Sequence, residues 1–390
     1  MKYYQYLVVG GGLAGDAAVR GIRELDPNGS IAMISSELDP PYVRPNLSKS
    51  LWKGKAIKDV WCNTQDLNVE SFLGRKVVHL NAQEKSIRDE KGDGYTYQKL
   101  LLATGGTPNQ LPFGNDKIIY YRGLQDYRRL RQLSEQGKSF LVIGGGFIGS
   151  EIAAALTMVG KKVVMVFPEQ SIGARAYPDD LSHFISDYYR QKGVEVISED
   201  TVTNLEQDGL QLSVCTKAGL TFKVDGVVAG IGIHPNVELA QQAGLKEENG
   251  ITVNEHLQTS LPDIYAAGDM ANFYHSALGK RVRVEHEDNA VQMGKMAGRN
   301  MAGANESYTH VPMFYSDLFE LGYEAVGELN SKLEIVADWQ DPFKKGVIYY
   351  VEKGRVRGVL LWNVWDTVPA ARALLSEAGP FKPKDLIGKL

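Results

Sequence analysis

The sequence predicts an α/β protein with two strand–turn–helix units of one kind and a smaller α+β unit after them. Two observations predict it. The run Gly10-Gly11-Gly12-Leu13-Ala14-Gly15 directly follows the apolar run Tyr6-Leu7-Val8-Val9, and Gly144-Gly145-Gly146-Phe147-Ile148-Gly149 directly follows Phe140-Leu141-Val142-Ile143. Each reads as a strand, a tight turn and a helix. Glycine permits the sharp turn, the approach of a pyrophosphate to the backbone and close helix–strand packing, while the helix N-terminus offers unbonded N–H groups and a positive dipole end. One such turn is a weak signal. Two in one chain imply two Rossmann-like dinucleotide-binding domains, and the simplest reason to hold two dinucleotides is to pass a hydride between them.

In the first unit Tyr6–Val9 is the opening strand, Leu13 to about Leu25 a helix with small residues Ala14, Ala17 and Ala18 near the turn, and Ile31–Ser35 a second strand. Asp39–Pro45 holds three prolines and reads as an extended loop, because proline fixes φ and lacks a donor. Lys99–Gly105 reads as a buried strand ending in small residues. The second unit starts near Tyr121. Its helix is Ala-rich over Ile152–Val159, its next strand is Lys162–Phe167, and it closes with the strand Gly226–Gly230 and the turn Gly232–Asn236. The apolar-then-small run Ile264-Tyr265-Ala266-Ala267-Gly268-Asp269 repeats the pattern of Leu101–Gly105 and suggests a return to the first unit. From about Tyr308 aromatic, strand-like segments (Gly346–Val351, Val356–Trp362) precede one helical stretch, Val368–Leu375. The expected domains are 1–120 with 243–306, then 121–242, then 307–390.

Composition narrows the function. The net charge of −4 over 390 residues argues against a general nucleic-acid or anionic-membrane binder, and no apolar run is long enough to span a bilayer. The chain enters a strand directly after Met1-Lys2-Tyr3-Tyr4-Gln5, so no leader peptide is expected and a reducing cytoplasm is the expected compartment. The two cysteines, Cys62 and Cys215, are too far apart in sequence for a C-x-x-C type redox pair.

These features together resemble the flavin-dependent pyridine-nucleotide oxidoreductases of glutathione-reductase-like fold, in the branch of the NADH:ferredoxin and rubredoxin reductases and apoptosis-inducing factor. Pro41-Tyr42-Val43-Arg44-Pro45-Asn46-Leu47-Ser48-Lys49 is similar to the branch's PY-x-RP-x-LSK motif. Phe314-Tyr315-Ser316-Asp317-Leu318, Gly322-Tyr323-Glu324-Ala325, Leu361-Trp362-Asn363 and Val166-Phe167-Pro168-Glu169 look like apoptosis-inducing factor in particular.

The resemblance implies FAD on the first turn (Gly10, Gly12, Leu13, Ala14, Gly15) and NAD(P)H on the second (Gly144, Gly146, Phe147, Ile148, Gly149). Glu37, or Ser36 one position earlier, stands where the adenosine ribose of FAD is recognised; the bland alternative is a solvated loop acid. Val78 and the turns Ala103-Thr104-Gly105 and Gly268-Asp269 complete the FAD side, with Asp269 on the ribitol chain. Arg44 is expected near the pyrophosphate, and Lys49 near flavin N5 with Glu151 as its partner; a bare first-turn acid is the alternative for Glu151. Arg122 matches a family arginine, although Arg128, Arg129 and Arg131 make a plain basic helix nearly as good a reading. Glu169, about twenty residues past Gly149, is placed to recognise a ribose 2′-OH and to repel a 2′-phosphate, so NADH is expected over NADPH. Arg175 tempers that, because an arginine accepts a 2′-phosphate. Gly232 lines the nicotinamide approach by analogy, or is only a turn glycine. Glu285, His286 and Glu287 should face the flavin, with a glutamate at 287 where ferredoxin reductases usually carry tryptophan. Tyr315 replaces a family tryptophan and could stack on the nicotinamide or simply pack in the core.

With Ser48 and no cysteine in the LSK loop, electrons are expected to leave the flavin directly. The expected acceptor is a ferredoxin, a rubredoxin or another small acceptor, steered by a basic rim at Lys280, Arg281 and Arg283, and the chain is expected as monomer or homodimer. The competing expectation is a slow, apoptosis-inducing-factor-like oxidoreductase acting as an NADH-dependent switch. A membrane-associated NADH dehydrogenase finds no amphipathic anchor in Pro380–Leu390.

Overall fold

The computed structural model describes residues 1–114 and 116–390. The chain divides into two compact units. The first comprises 1–44, 56–107 and 234–313, and the second 45–55, 108–233 and 314–390.

The first unit is built on a seven-stranded sheet. Strand Lys2–Val9 lies between Ile31–Ile34 and Gly94–Leu102, parallel to both. Glu70–Phe72 extends one side, and Ser86–Asp89 and Val77–Asn81 form an antiparallel edge on the other. Strand Ile264–Ala266 adds in parallel to Gly94–Leu102, pairing Ile264 with Leu100 and Ala266 with Leu102, so the late apolar-then-small run does sit beside the early one. The segments Tyr6–Val9, Ile31–Ile34 and Ile264–Ala266 are apolar and buried at every position, as parallel strands covered on both faces must be.

Helix Leu13–Leu25 has the bounds expected from sequence, and its small residues have a packing reason. It lies against helix Glu287–Met301 with almost no space between the backbones. A Cβ on Gly294 would come within 2.2 Å of the Ala14 carbonyl oxygen, and one on Gly298 within 2.0 Å of the Ala18 carbonyl oxygen. Alanine at a helix interior normally gains about 1 kcal/mol over glycine. Here the helices would have to separate, an overpacking cost of about 1–3 kcal/mol or more. Gly298→Ala is therefore expected to lower the melting temperature; a raised one in thermal denaturation would mean that the helices are not packed this closely.

The second unit carries a five-stranded, wholly parallel sheet in the order Val194–Ile197, Lys162–Val166, Ser139–Ile143, Gly226–Ala229, Ile118–Tyr120. Its dinucleotide-type helix, Phe147–Met158, starts five residues earlier than the Ala-rich stretch alone suggests. A three-stranded antiparallel sheet over 202–224 is attached to it, a feature without a counterpart in the sequence reading. The C-terminal part forms a five-stranded antiparallel sheet in the order Met313–Leu318, Leu321–Gly327, Arg355–Trp362, Lys345–Glu352, Glu334–Asp341, with helices Val368–Ser376 and Pro383–Leu386. The α+β expectation for this region holds, with the short second helix as an addition. Among the described residues no helix is long and apolar enough to cross a membrane.

Candidate dinucleotide sites and the Lys49–Glu151 cluster

The two glycine turns have the same construction. Gly10 and Gly144 have φ of +124° and +112°, and a Cβ there would meet a carbonyl oxygen, of Ala103 at 2.0 Å and of Gly230 at 2.4 Å. Gly15 and Gly149 admit no side chain either, with a Cβ 2.1 Å from the Gly10 oxygen and 2.0 Å from the Gly144 oxygen. These four are fixed by the turn and by helix–strand packing. Gly12 and Gly146 differ, because a Cβ on either meets nothing within 4 Å. Both are N-cap residues of their helices, and neither supplies a side-chain hydrogen bond to the first turn. Each turn thus presents an open backbone face directly before an N-terminus whose N–H groups have no capping side chain. That is what a pyrophosphate needs, so both sites fit dinucleotides.

In the first unit Glu37 is joined to the proline-rich loop. Arg44 Nη2 donates to Glu37 Oε1 at 2.6 Å, and the Tyr42 hydroxyl donates to Oε2 at 2.7 Å. The guanidinium also lies 4.9 Å from the Tyr42 ring centroid. Burial works against the Arg44 charge, but Tyr42, Glu37 and Asp269 outweigh it and raise its pKa. Arg44 and Glu37, expected as separate ligands of different parts of FAD, are one ion pair here. Ser36 is exposed, and Val78 is 42 % exposed on the edge strand Val77–Asn81. Gly105 and Gly268 both have positive φ, +64° and +80°. The Thr104 hydroxyl donates to the Asn236 carbonyl at 3.0 Å and Asn236 Nδ2 returns a bond to the Thr104 carbonyl at 2.8 Å, which pins that turn.

Strand Ile264–Ala266 ends before Asp269, which is half-buried in the turn beyond it. Arg283 departs from expectation. It bonds the Asp269 carbonyl at 2.9 Å and the Glu285 carboxylate at 2.5 Å, and its side chain is only 11 % exposed. Arg281 spends its guanidinium on the Val253 and Asn272 carbonyls. Of the expected basic rim, Lys280 and Arg281 are exposed, and Arg283 is turned into internal structure.

His286 is the N-cap of helix Glu287–Met301. Burial pushes its pKa down to about 4, against the opposing pull of Asp269 and Asp288. The ring is neutral at pH 7, so it orients or hydrogen-bonds rather than supplying fixed positive charge. Because the folded value lies below the unfolded one, the unfolded state binds more protons between pH 4 and 6.5, and stability falls as pH drops through that window. The imidazole is expected to titrate near pH 4 in an NMR titration; an inflection near 6.5 would contradict this environment. Glu287 lies in the first turn of the same helix, where the dipole favours an acid.

In the second unit the structure brings together the residues with the sharpest chemistry. Lys49 Nζ is 2.7 Å from Glu151 Oε1, with side-chain exposures of 13 % and 4 %. The same oxygen accepts from the Ser316 hydroxyl at 2.5 Å, and Oε2 accepts from the Ser48 hydroxyl at 2.5 Å. One buried carboxylate thus collects three donors from two distant segments. The Lys49 ammonium also lies 5.1 Å from the Tyr315 ring centroid, which fixes it from a second side. Ser316 was missed by sequence reasoning; only its place beside Tyr315 in the family-like run marked it. Arg122 sits at the entry to helix Leu124–Gln136, its backbone N–H bonded to Asp126 at 3.0 Å.

Glu169 and Arg175 face each other at 2.5 Å and line a cleft of about 720 Å³. Gly232 has φ +88°, and its carbonyl accepts the Asn109 N–H at 2.9 Å, so it is at least a turn glycine. Phe147 and Ile148 expose 39 % each at the helix N-terminus, with Phe147 packed on Phe314 at 5.9 Å. Both cysteines are free, and burial pushes the Cys62 thiol up to about 12.

Comparison with known proteins agrees with this geometry. Residues 4–294 match the family model for pyridine nucleotide-disulphide oxidoreductases, and residues 297–342 and 337–377 match that of the C-terminal domain of mitochondrion-associated apoptosis-inducing factor. The chain is 35 % identical to apoptosis-inducing factor 1, mitochondrial, of Dictyostelium discoideum, covering 96 % of this chain and 79 % of that protein. It is 34 % identical to the ferredoxin reductase subunit of the 5,5′-dehydrodivanillate O-demethylase of a Sphingobium species, covering 96 % and 94 %. The solved putidaredoxin reductase–putidaredoxin complex superimposes with a TM-score of 0.90 at 29 % identity, over 98 % of this chain and 95 % of that one. With two open glycine turns on paired nucleotide-type folds, the chain belongs to the pyridine nucleotide-disulphide oxidoreductase family and is an FAD-dependent NAD(P)H oxidoreductase of the ferredoxin/rubredoxin reductase type.

Proposed function

We propose that the chain takes hydride from NADH and delivers electrons to a small iron–sulfur protein or a similar acceptor, without a redox disulfide. The observation that carries the reading is the pair of open glycine turns, each before a helix N-terminus without a capping side chain. FAD, when bound, supplies the redox chemistry by accepting the hydride and releasing electrons. The turn at Gly10–Gly15 would hold its pyrophosphate, with Glu37, Arg44 and Asp269 on the same unit. The turn at Gly144–Gly149 would hold the nicotinamide dinucleotide. Lys49, assigned by family resemblance to the flavin ring, would place a fixed cation where reduction adds negative charge, with Glu151 holding it.

Glu169 supports NADH as the donor, because a carboxylate accepts ribose hydroxyls and repels a 2′-phosphate. Direct electron delivery is supported by the cysteines. Both are free, and the Cys62 thiol stays protonated at neutral pH and is thus a poor nucleophile. An iron–sulfur acceptor is supported by the relatives, one a ferredoxin reductase subunit and one a reductase solved in covalent complex with putidaredoxin.

A second reading is favoured by one observation, the match of residues 297–377 to the apoptosis-inducing-factor C-terminal model. On that reading the chain turns over slowly and serves as an NADH-dependent switch or assembly partner. Stopped-flow mixing with NADH, followed by ferredoxin, separates the two. Fast bleaching of the flavin and rapid turnover support the reductase. A long-lived long-wavelength absorbance with poor turnover supports the switch. A flavin that stays oxidised under anaerobic excess NADH and NADPH removes both.

A further inference from the structure

The cleft that holds Glu169 has a wall that the dinucleotide fold does not supply. The loop between strands Leu321–Gly327 and Glu334–Asp341 of the C-terminal sheet brings Asn330, Ser331 and Lys332 into it. The loop is fastened there. The Ser331 hydroxyl donates to the Ala174 carbonyl at 2.7 Å, and its N–H donates to the Arg175 carbonyl at 3.1 Å. The Lys332 N–H is turned back onto Asn330 Oδ1 at 3.0 Å, and the Leu333 N–H onto the Asn330 carbonyl at 3.0 Å, so the loop has a defined shape. The segment it grips is itself tied to the glycine turn, since the Gly173 N–H donates to the Gly145 carbonyl at 2.9 Å. Two backbone-level links therefore connect the C-terminal loop to the second dinucleotide turn.

The charges in the cleft matter as much as the connection. Glu169 and Glu199 are the carboxylates, and Arg175 and Lys332 the cations. Arg175 is committed to Glu169 at 2.5 Å. Lys332, exposed and carried by the other wall, is the cation not used in that pair. An acid alone at this place would exclude a 2′-phosphate strongly. An acid neutralised by one cation and flanked by a second excludes it weakly.

We propose that the Asn330–Lys332 loop is part of the subsite for the adenosine ribose and that Lys332 sets how strongly the chain discriminates at the ribose 2′ position. The inference rests on the reading of Glu169 as the ribose-recognising acid. NADH remains the preferred donor, and Lys332 narrows the margin by attracting a 2′-phosphate across the cleft. The C-terminal domain thereby acts as a specificity element for a cofactor bound by its neighbour.

Calorimetric titration of the FAD-loaded protein with 5′-AMP and with 2′,5′-ADP tests this. Lys332→Ala is expected to weaken 2′,5′-ADP by about three- to fivefold, as for an exposed ion pair, and to leave 5′-AMP within about twofold. Lys332→Glu should weaken 2′,5′-ADP further, Lys332→Arg should keep wild-type selectivity, and the differences should shrink at high salt as exposed charges are screened. A purely structural role for the loop would shift both ligands together. Equal changes in the two affinities, or none, in a set where Glu169→Ala does alter the ratio, would overturn the role of Lys332 alone. If Glu169→Ala also leaves the ratio unchanged, or neither nucleotide binds, the reading of the cleft as the ribose subsite falls with it.

Discussion

Replacing Lys49 by methionine is expected to lower the midpoint potential of the bound flavin by about 30–60 mV, equivalent to ~1.4–3 kcal/mol for a two-electron couple. Reduction adds negative charge, so a nearby ammonium favours the reduced form and its loss favours the oxidised one. The size follows from how firmly the charge is held. Lys49 is paired at 2.7 Å with a carboxylate of 4 % exposure, whose two oxygens also accept from Ser48 and Ser316. In Lys49→Met the carboxylate stays, with two hydroxyl donors and no cation, and its own charge now opposes reduction. Glu151→Gln removes the anion and leaves the lysine freer to move, so it should shift the potential less. The two changes share one cluster and should not add; the double variant should lie nearer the wild type than Lys49→Met does. Dye-coupled equilibrium reduction measures all three. An unaltered potential in Lys49→Met would place the ammonium away from the flavin.

How much of this was legible depends on how far apart the partners lie in the chain. The glycine turns were legible because each is local: a strand, a turn that only glycine permits and a helix follow within about fifteen residues. The helix Leu13–Leu25, expected from Leu13 to about Leu25, was legible for the same reason. The Lys49–Glu151 pair spans 102 residues and was expected only through family resemblance. Ser316, 165 residues from Glu151, is marked only by lying in the family-like run beside Tyr315, because serine is common and its partner is set by tertiary packing. The grip of Ser331 on the Ala174–Arg175 segment is of the same kind. Arg283 failed in the opposite direction. In sequence it is one of three basic residues in a row of four, which reads as a charged surface, and only the fold shows its guanidinium turned inward onto Asp269 and Glu285. The small sheet over 202–224 went unread because its first strand, Val202–Asp208, is mostly exposed and lacks a clean apolar period, although Gln211–Thr216 and Thr221–Val224 do alternate.

Gly146→Val is expected to leave a folded, yellow protein that dithionite reduces and NADH does not, with pyridine-nucleotide affinity down by roughly 100-fold, or ~2.7 kcal/mol. The argument turns on which glycine is substituted. Gly146 has φ of −84°, a conformation open to any residue, and its Cβ would meet nothing within 4 Å. A valine there fits the protein and fills only the space that a pyrophosphate must enter. Gly12, with φ of −91° and the same open surroundings, makes the matched experiment on the other site. Gly12→Val should fold but purify with little flavin, while its second turn stays intact. Gly144→Val is the control that separates occlusion from collapse, because positive φ and a carbonyl oxygen 2.4 Å from the new Cβ make it misfold instead. Flavin occupancy from the visible spectrum and folding from circular dichroism distinguish the three outcomes. If Gly146→Val bound and accepted hydride from NADH as the wild type does, the second turn would be a structural echo of the first, and the case for two dinucleotides on this chain would lose its footing.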